Sequence, residues 1–89
     1  MGDGFTVIEK ELEGERASSL GEAGKRLETA LAALGDSNDD ELVYDAAMAA
    51  WSYMIVRESL RMFDHKQAFK IYGVPDRVIA KVGVIRPNR

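Results

Sequence analysis

LVYDAAMAAWSYMIVRESLRMF, residues 42–63, decides how the chain folds. Leu42, Ala46, Ala49, Tyr53, Val56, Leu60 and Phe63 recur at steps of four and three, the spacing that stacks side chains on one face of an α-helix. A second stripe, Val43, Ala47, Ala50 and Met54, runs beside it. A third, Tyr44, Met48, Trp51, Ile55 and Met62, closes the circumference. A helix apolar on nearly every side must be central and covered. Only Asp45, Ser52 and Ser59 form a narrow polar strip, expected at the surface.

Before this segment lies GDSNDD, residues 35–40, a turn rich in helix-capping side chains, with acids ready for the next helix dipole. Its shortness makes the flanking helices antiparallel. The helix ahead of it carries Leu20, Ala23, Leu27, Ala30 and Leu34, joined by Leu31, at steps of three and four, and ends at Gly35. Its start is expected at Thr6, which with Glu9 fits a capping box, leaving 1–5 as a disordered N-terminus. Towards that start the apolar stripe loses phase: Glu9, Glu13 and Arg16 fall on the face Leu20 defines, and Ile8 and Leu12 drift to its edge. Gly14, Ala17, Gly21 and Gly24 form a seam of small residues. Its expected partner is the patch Ala46, Ala47, Ala49 and Ala50, because small side chains on both sides let two helices approach closely.

After the central helix, Asp64 with Gln67 repeats the capping-box pattern, so a short helix HKQAFKIY follows, ended by Gly73. Pro75 starts another, PDRVIAKV, closed by Gly83. Residues 84–89 are a C-terminal tail whose Val84 and Ile85 are free to dock on the bundle or on a partner.

Eighty-nine residues make a single helical domain, 1–89, near the size at which one core is marginal alone. No cysteine is present, which excludes disulfides and thiolate metal sites and fits a reducing, cytoplasmic setting; the lone histidine excludes a histidine-rich metal centre. No unbroken apolar run reaches the roughly 18 residues of a membrane span, and the start has no signal-peptide pattern. Residues 1–64 carry 14 acidic and 6 basic side chains, net −8, and residues 65–89 carry 1 and 6, net +5. Such a split fits complementarity within or between chains, or else a basic surface for an anion.

The segments SLGEAGKRLETALAAL, AAMAAWSYMIVRESLRMFDH and YGVPDRVIAKVG resemble a family of small helical proteins from proteobacteria with no assigned activity, over roughly residues 7–83. The resemblance implies a compact all-helical domain and no functional residue. QAFKIYGVPDRVIAKV, residues 67–82, resembles a helix-turn-helix with Gly73 and Val74 at the turn, Val78 and Val82 inward, and Arg77 and Lys81 directed at nucleic acid. Against it, Phe69 is bulky where that motif has a small residue, and the second helix lacks amide or hydroxyl side chains for reading bases.

The remaining chemistry-bearing groups read as structural. Arg57 and Arg61, one turn apart, have Glu58 at hand. Glu9 with Glu13, Glu11 with Glu15, and Glu41 with Asp45 read as solvated pairs rather than catalytic acids. His65 is expected at the first position of its helix with the ring in solvent.

The expected architecture is therefore all-α: two long antiparallel helices, with two short C-terminal ones packed over an end of the pair. Trp51, Tyr53, Met54, Val56, Leu60, Leu20, Leu27, Leu31 and Leu34 are the expected core. One long helix and two short ones cannot cover three stripes, so Tyr44, Met48, Trp51, Ile55 and Met62 are expected to meet a second copy in a dimeric helical bundle. The function this implies is a structural or protein-interaction module, with no catalytic residue, cofactor or metal. The runner-up is a DNA-associated regulator using residues 67–82 through Arg77 and Lys81.

Overall fold

The computed structural model describes residues 3–84, with side chains from Ser18 onward. It is all-α among these residues: α1 (Asp3–Leu34), α2 (Asp40–Ser59), α3 (His65–Tyr72) and α4 (Asp76–Ile79). α1 starts at Asp3, not Thr6, so Asp3–Phe5 belong to the helix rather than to a disordered end. The readings of Glu9, Glu13, Glu11, Glu15, Gly14 and Ala17 as side chains, and of Ile85 in the tail, lie outside the described residues.

At about 1.5 Å per residue, α1 is roughly 48 Å long and α2 roughly 30 Å. The expected turn joins them. Gly35, at φ +50°, donates its amide to the Leu31 carbonyl at 2.9 Å and closes α1. Of the capping side chains in that turn it is Asp39 that opens α2, its carboxylate accepting from the amides of Glu41 (2.9 Å) and Leu42 (3.3 Å). Ser37 braces the cap by accepting from the Asp39 amide at 3.0 Å.

The helix pair is filled by small residues. Ala46, Ala47 and Ala50 of α2 are wholly buried with Ala23, Leu27 and Leu34 of α1, and Val43 and Tyr53 complete the seam. Met54, Val56 and Leu60 of the α2 segment, like Leu20 and Leu31 of α1, are only partly buried, and Trp51 is exposed, so six of the nine large side chains expected to dominate the core lie at its margin or outside it. The reason is geometric: where alanines let backbones approach, bulky neighbours on the same helix are pushed to the flanks.

α2 stops at Ser59, short of the expected Phe63. Arg61 takes φ +60°, its amide bonds the Glu58 carbonyl (2.9 Å), and the Met62 amide bonds the Arg57 carbonyl (3.0 Å), the paired bonds of a Schellman ending. Arginine in the left-handed position that glycine usually fills costs about 1–2 kcal/mol, and its identity hides the ending from sequence reading. Arg57 compensates by donating from Nη2 to the Asp64 carbonyl at 3.1 Å, across the reversal.

α3 is capped as expected, Asp64 accepting from the Gln67 amide at 3.1 Å. It ends in the same Schellman bonds with Gly73 at φ +69°, and brings Val74 and Phe69, both buried, to the apolar contact that accompanies the motif. α4 is a single turn. Pro75 precedes it as the cap, at ψ 153°, instead of occupying its first position, and the chain turns off again after Ile79.

The short helices do not sit over one end of the pair. They run back along α2: His65 meets Glu58 near its C-terminus, Tyr72 lies on Tyr53 and Gly24 midway, and Arg77 and Lys81 reach the N-terminal end at Gly35 and Tyr44. The extended backbone at Pro75 separates α3 from α4 along that path.

The glycine seam is also reassigned. A Cβ on Gly24 would strike the Tyr72 hydroxyl, with the Tyr53 ring 3.6 Å away, so the close approach is made by a tyrosine of α3 and not by the alanine patch. Gly21 faces open space. Gly21→Ala therefore should stabilise the protein by about 0.8–1 kcal/mol from helix propensity alone. That is a rise of about 4–8 °C in Tm. Gly24→Ala should lower Tm despite the same propensity gain, and thermal melts followed by circular dichroism separate the two.

Candidate functional site

Among the described residues the third stripe of α2 is an uncovered run of apolar side chains along one helix; Phe63, Ile71, Ile79 and Val84 are exposed as well, on the segments that follow. Met48 is 62% exposed, Trp51 39%, Ile55 48% and Met62 38%. Tyr44 differs from the other four: it is buried, and the Lys81 ammonium lies over its ring at 5.6 Å. Met62 lies beyond the end of α2, in the turn that Arg61 makes. The helical part of the stripe is thus Met48, Trp51 and Ile55, with Tyr44 at its foot.

At that foot is a hollow of about 370 Å³. Tyr44, Ala47, Met48 and Trp51 of α2 form one side, and Lys81, Gly83 and Val84, on the segment after α4, form the other. Ala47 makes the depression, since a small side chain stands among three large ones. A further hollow of about 350 Å³ lies between α1 and the start of α2, lined by Lys25, Arg26, Thr29, Ala30, Ala33, Leu42 and Asp45, and mixes both signs of charge in one shallow surface.

Arg77 and Lys81, the two cations of the helix-turn-helix reading, are turned inward. Arg77 donates from Nη2 to the carbonyls of Gly35 (2.8 Å) and Ser37 (3.2 Å), which stitches α4 to the α1–α2 turn, and its Nε is buried without a partner. Lys81 lies back over the Tyr44 ring at the rim of the hollow. With a one-turn α4, no recognition helix of useful length is present among the described residues.

The other singled-out groups hold the return together. His65, expected in solvent, is half-buried: its Nε2 is 3.0 Å from the Glu58 carboxylate, and its ring stacks on Phe69 at 6.5 Å. Glu58 pairs with this histidine, not with Arg61. Arg57 lies over the Tyr53 ring at 5.8 Å. Among the described residues no group of three or more histidine, aspartate and glutamate side chains is placed to hold a metal ion, and no helix is long and apolar enough to cross a membrane.

Sequence reading missed the hollow. The signal was present in the order Tyr44, Ala47, Met48, Trp51, but its far wall comes from residues with no periodic relation to α2. Tyr72 was also missed as a contact residue. Its phenol is held above its usual range, first by burial and then by the adjoining Tyr53, whose ring meets it edge-on at 5.0 Å.

The fold and this surface define a small all-helical bundle protein with one bare apolar stripe and an apolar hollow at its foot. The chain belongs to a family of unknown function, DUF6665, whose model matches residues 2–89. No curated protein and no solved structure matches it.

Two measurements check the local assignments. Arg77→Ala removes both links to the turn and should cost about 1–2 kcal/mol in urea unfolding, after discounting for solvent exposure. A phenol whose folded pKa is raised contributes stability that is intact below its ordinary range and is lost as pH rises through the higher folded value. Tyr72→Phe should therefore flatten the fall in urea midpoint above about pH 10 relative to wild type.

Proposed function

We propose that the protein is a small structural or protein-interaction module that works as a homodimer, with the bare stripe of α2 as its contact surface. The observation that carries this is the run of Met48, Trp51 and Ile55, exposed on one face of a helix whose remaining apolar faces are packed within the chain. Scattered apolar side chains at a surface need no explanation; a contiguous aromatic and aliphatic strip does. Fully burying a large side chain is worth about 1.5–3 kcal/mol, and since these three are already about half covered, completing their burial on both copies still gains several kcal/mol, on the order of a small domain's stability. A second copy supplies a matching strip by symmetry, and an 89-residue chain without disulfides has the most to gain from such association.

The charge split of the sequence supports contact between copies as well as within one. The absence of cysteine fits a protein that works in the reducing cytoplasm. Nothing in the site favours a DNA-associated role, because Arg77 and Lys81 are engaged within the chain.

Sedimentation equilibrium is the test. At tens of micromolar the wild-type protein should run at twice the 9.8 kDa chain mass, and Trp51→Glu should run as a helical monomer, since an interface centre does not tolerate an unpaired charge. A wild-type species that stays at 9.8 kDa while fully folded removes the proposal.

A further inference from the structure

The hollow at the foot of the stripe has a recognisable form. Tyr44, Ala47, Met48 and Trp51 stand at positions i, i+3, i+4 and i+7 of α2, which is the four-residue hole that receives one side chain of a facing helix in knobs-into-holes packing. Tyr44 and Ala47 form its buried floor, Lys81, Gly83 and Val84 wall one side, and Met48 and Trp51 leave it open to a knob from outside. The candidate on the same chain is Ile55, 48% exposed, one turn beyond Trp51 on the same face.

Resting on the dimer proposed above, we infer that the two copies pair with antiparallel α2 helices, Ile55 of each entering the Tyr44–Ala47–Met48–Trp51 hole of the other. The register follows from the positions. The hole centres between Ala47 and Met48, so placing the partner's Ile55 in it sets the two-fold axis at Trp51. Each Trp51 then meets its own copy, where two exposed indoles bury the largest apolar area on the stripe. No other residue of α2 combines exposure with a place on that axis.

Charge decides between this arrangement and a parallel one. Glu58 lies one turn beyond Ile55, so in the antiparallel pair it falls opposite Tyr44, beside Lys81 on the rim of the hole. The Glu58 carboxylate has one oxygen on His65 and a second to offer the partner's Lys81. A parallel pair would set Glu58 against Glu58 and Lys81 against Lys81. Like charges across an interface oppose association, and the complementary pairing fixes the register.

The chain has no cysteine, so single and double replacements give unambiguous cross-links. Met48→Cys, Ile55→Cys and the double variant are oxidised mildly and run on non-reducing gels, with sedimentation of each before oxidation. The double variant should give a covalent dimer while each single variant stays uncrosslinked, because only the 48–55 pair brings sulfur atoms within bonding reach. Single variants that cross-link to themselves, or a sedimenting dimer in which the double variant does not cross-link, would overturn the antiparallel register while leaving the dimer intact. A wild-type monomer in the same sedimentation run would instead remove the dimer itself. A charge swap gives an independent reading: Glu58→Lys and Lys81→Glu should each raise the dimer dissociation constant several-fold, and the two together should restore it. Absence of that recovery counts against the inferred register.

Discussion

Close contact between α1 and α2 through small side chains governs the rest of the structure. Ala46, Ala47 and Ala50 are buried on α2 and Ala23 on α1, while Gly24 of α1 makes room for Tyr72 of α3. Two consequences follow from that one choice. Large residues of α2 cannot lie in the seam, so Tyr53 fills its edge and Trp51 is left outside. The C-terminal return must also supply bulk that the seam lacks, which Phe69, Tyr72, Val74 and Val78 provide from the side. The core is therefore a sandwich of alanines between a leucine row on α1 and the apolar returns of α3 and α4.

The return is fastened by polar contacts at both ends. Glu58 with His65, and Arg57 with the Asp64 carbonyl, hold its start; Arg77 on the Gly35 and Ser37 carbonyls holds its finish. Of these, Arg77 is the group that the bare sequence directed at nucleic acid. Arg77 and Lys81, basic residues late in a chain whose earlier part is acidic, are used for closing the fold.

Helix order, the α1–α2 turn and the apolar row Leu20–Leu34 were legible because each rests on local rules: periodicity, a capping aspartate, a glycine at positive φ. The end of α2 was not, since Arg61 occupies a conformation that its side chain disfavours and no local residue advertises it. Nor was the identity of the core. Periodicity places three apolar stripes on α2 but does not rank them, and residue size ranks them wrongly when the neighbouring helix is close enough to demand alanine. The path of α3 and α4 depended on Tyr72 docking over Gly24, a contact between residues 48 positions apart that no spacing rule connects. The stripe itself was readable as an excess of apolar surface; its hollow required the far wall from Lys81 to Val84.

Trp51 is the single tryptophan of the chain and stands at the centre of the bare stripe, so its own fluorescence reports whether that stripe is covered in solution. The direct measurement is the emission maximum of the wild-type protein diluted from tens of micromolar to nanomolar, with helix content followed in parallel. The account predicts a blue-shifted indole at high concentration that moves to the red on dilution along a monomer–dimer isotherm. A maximum that stays at the position of a solvent-exposed indole at every concentration, with helix content unchanged, would contradict it.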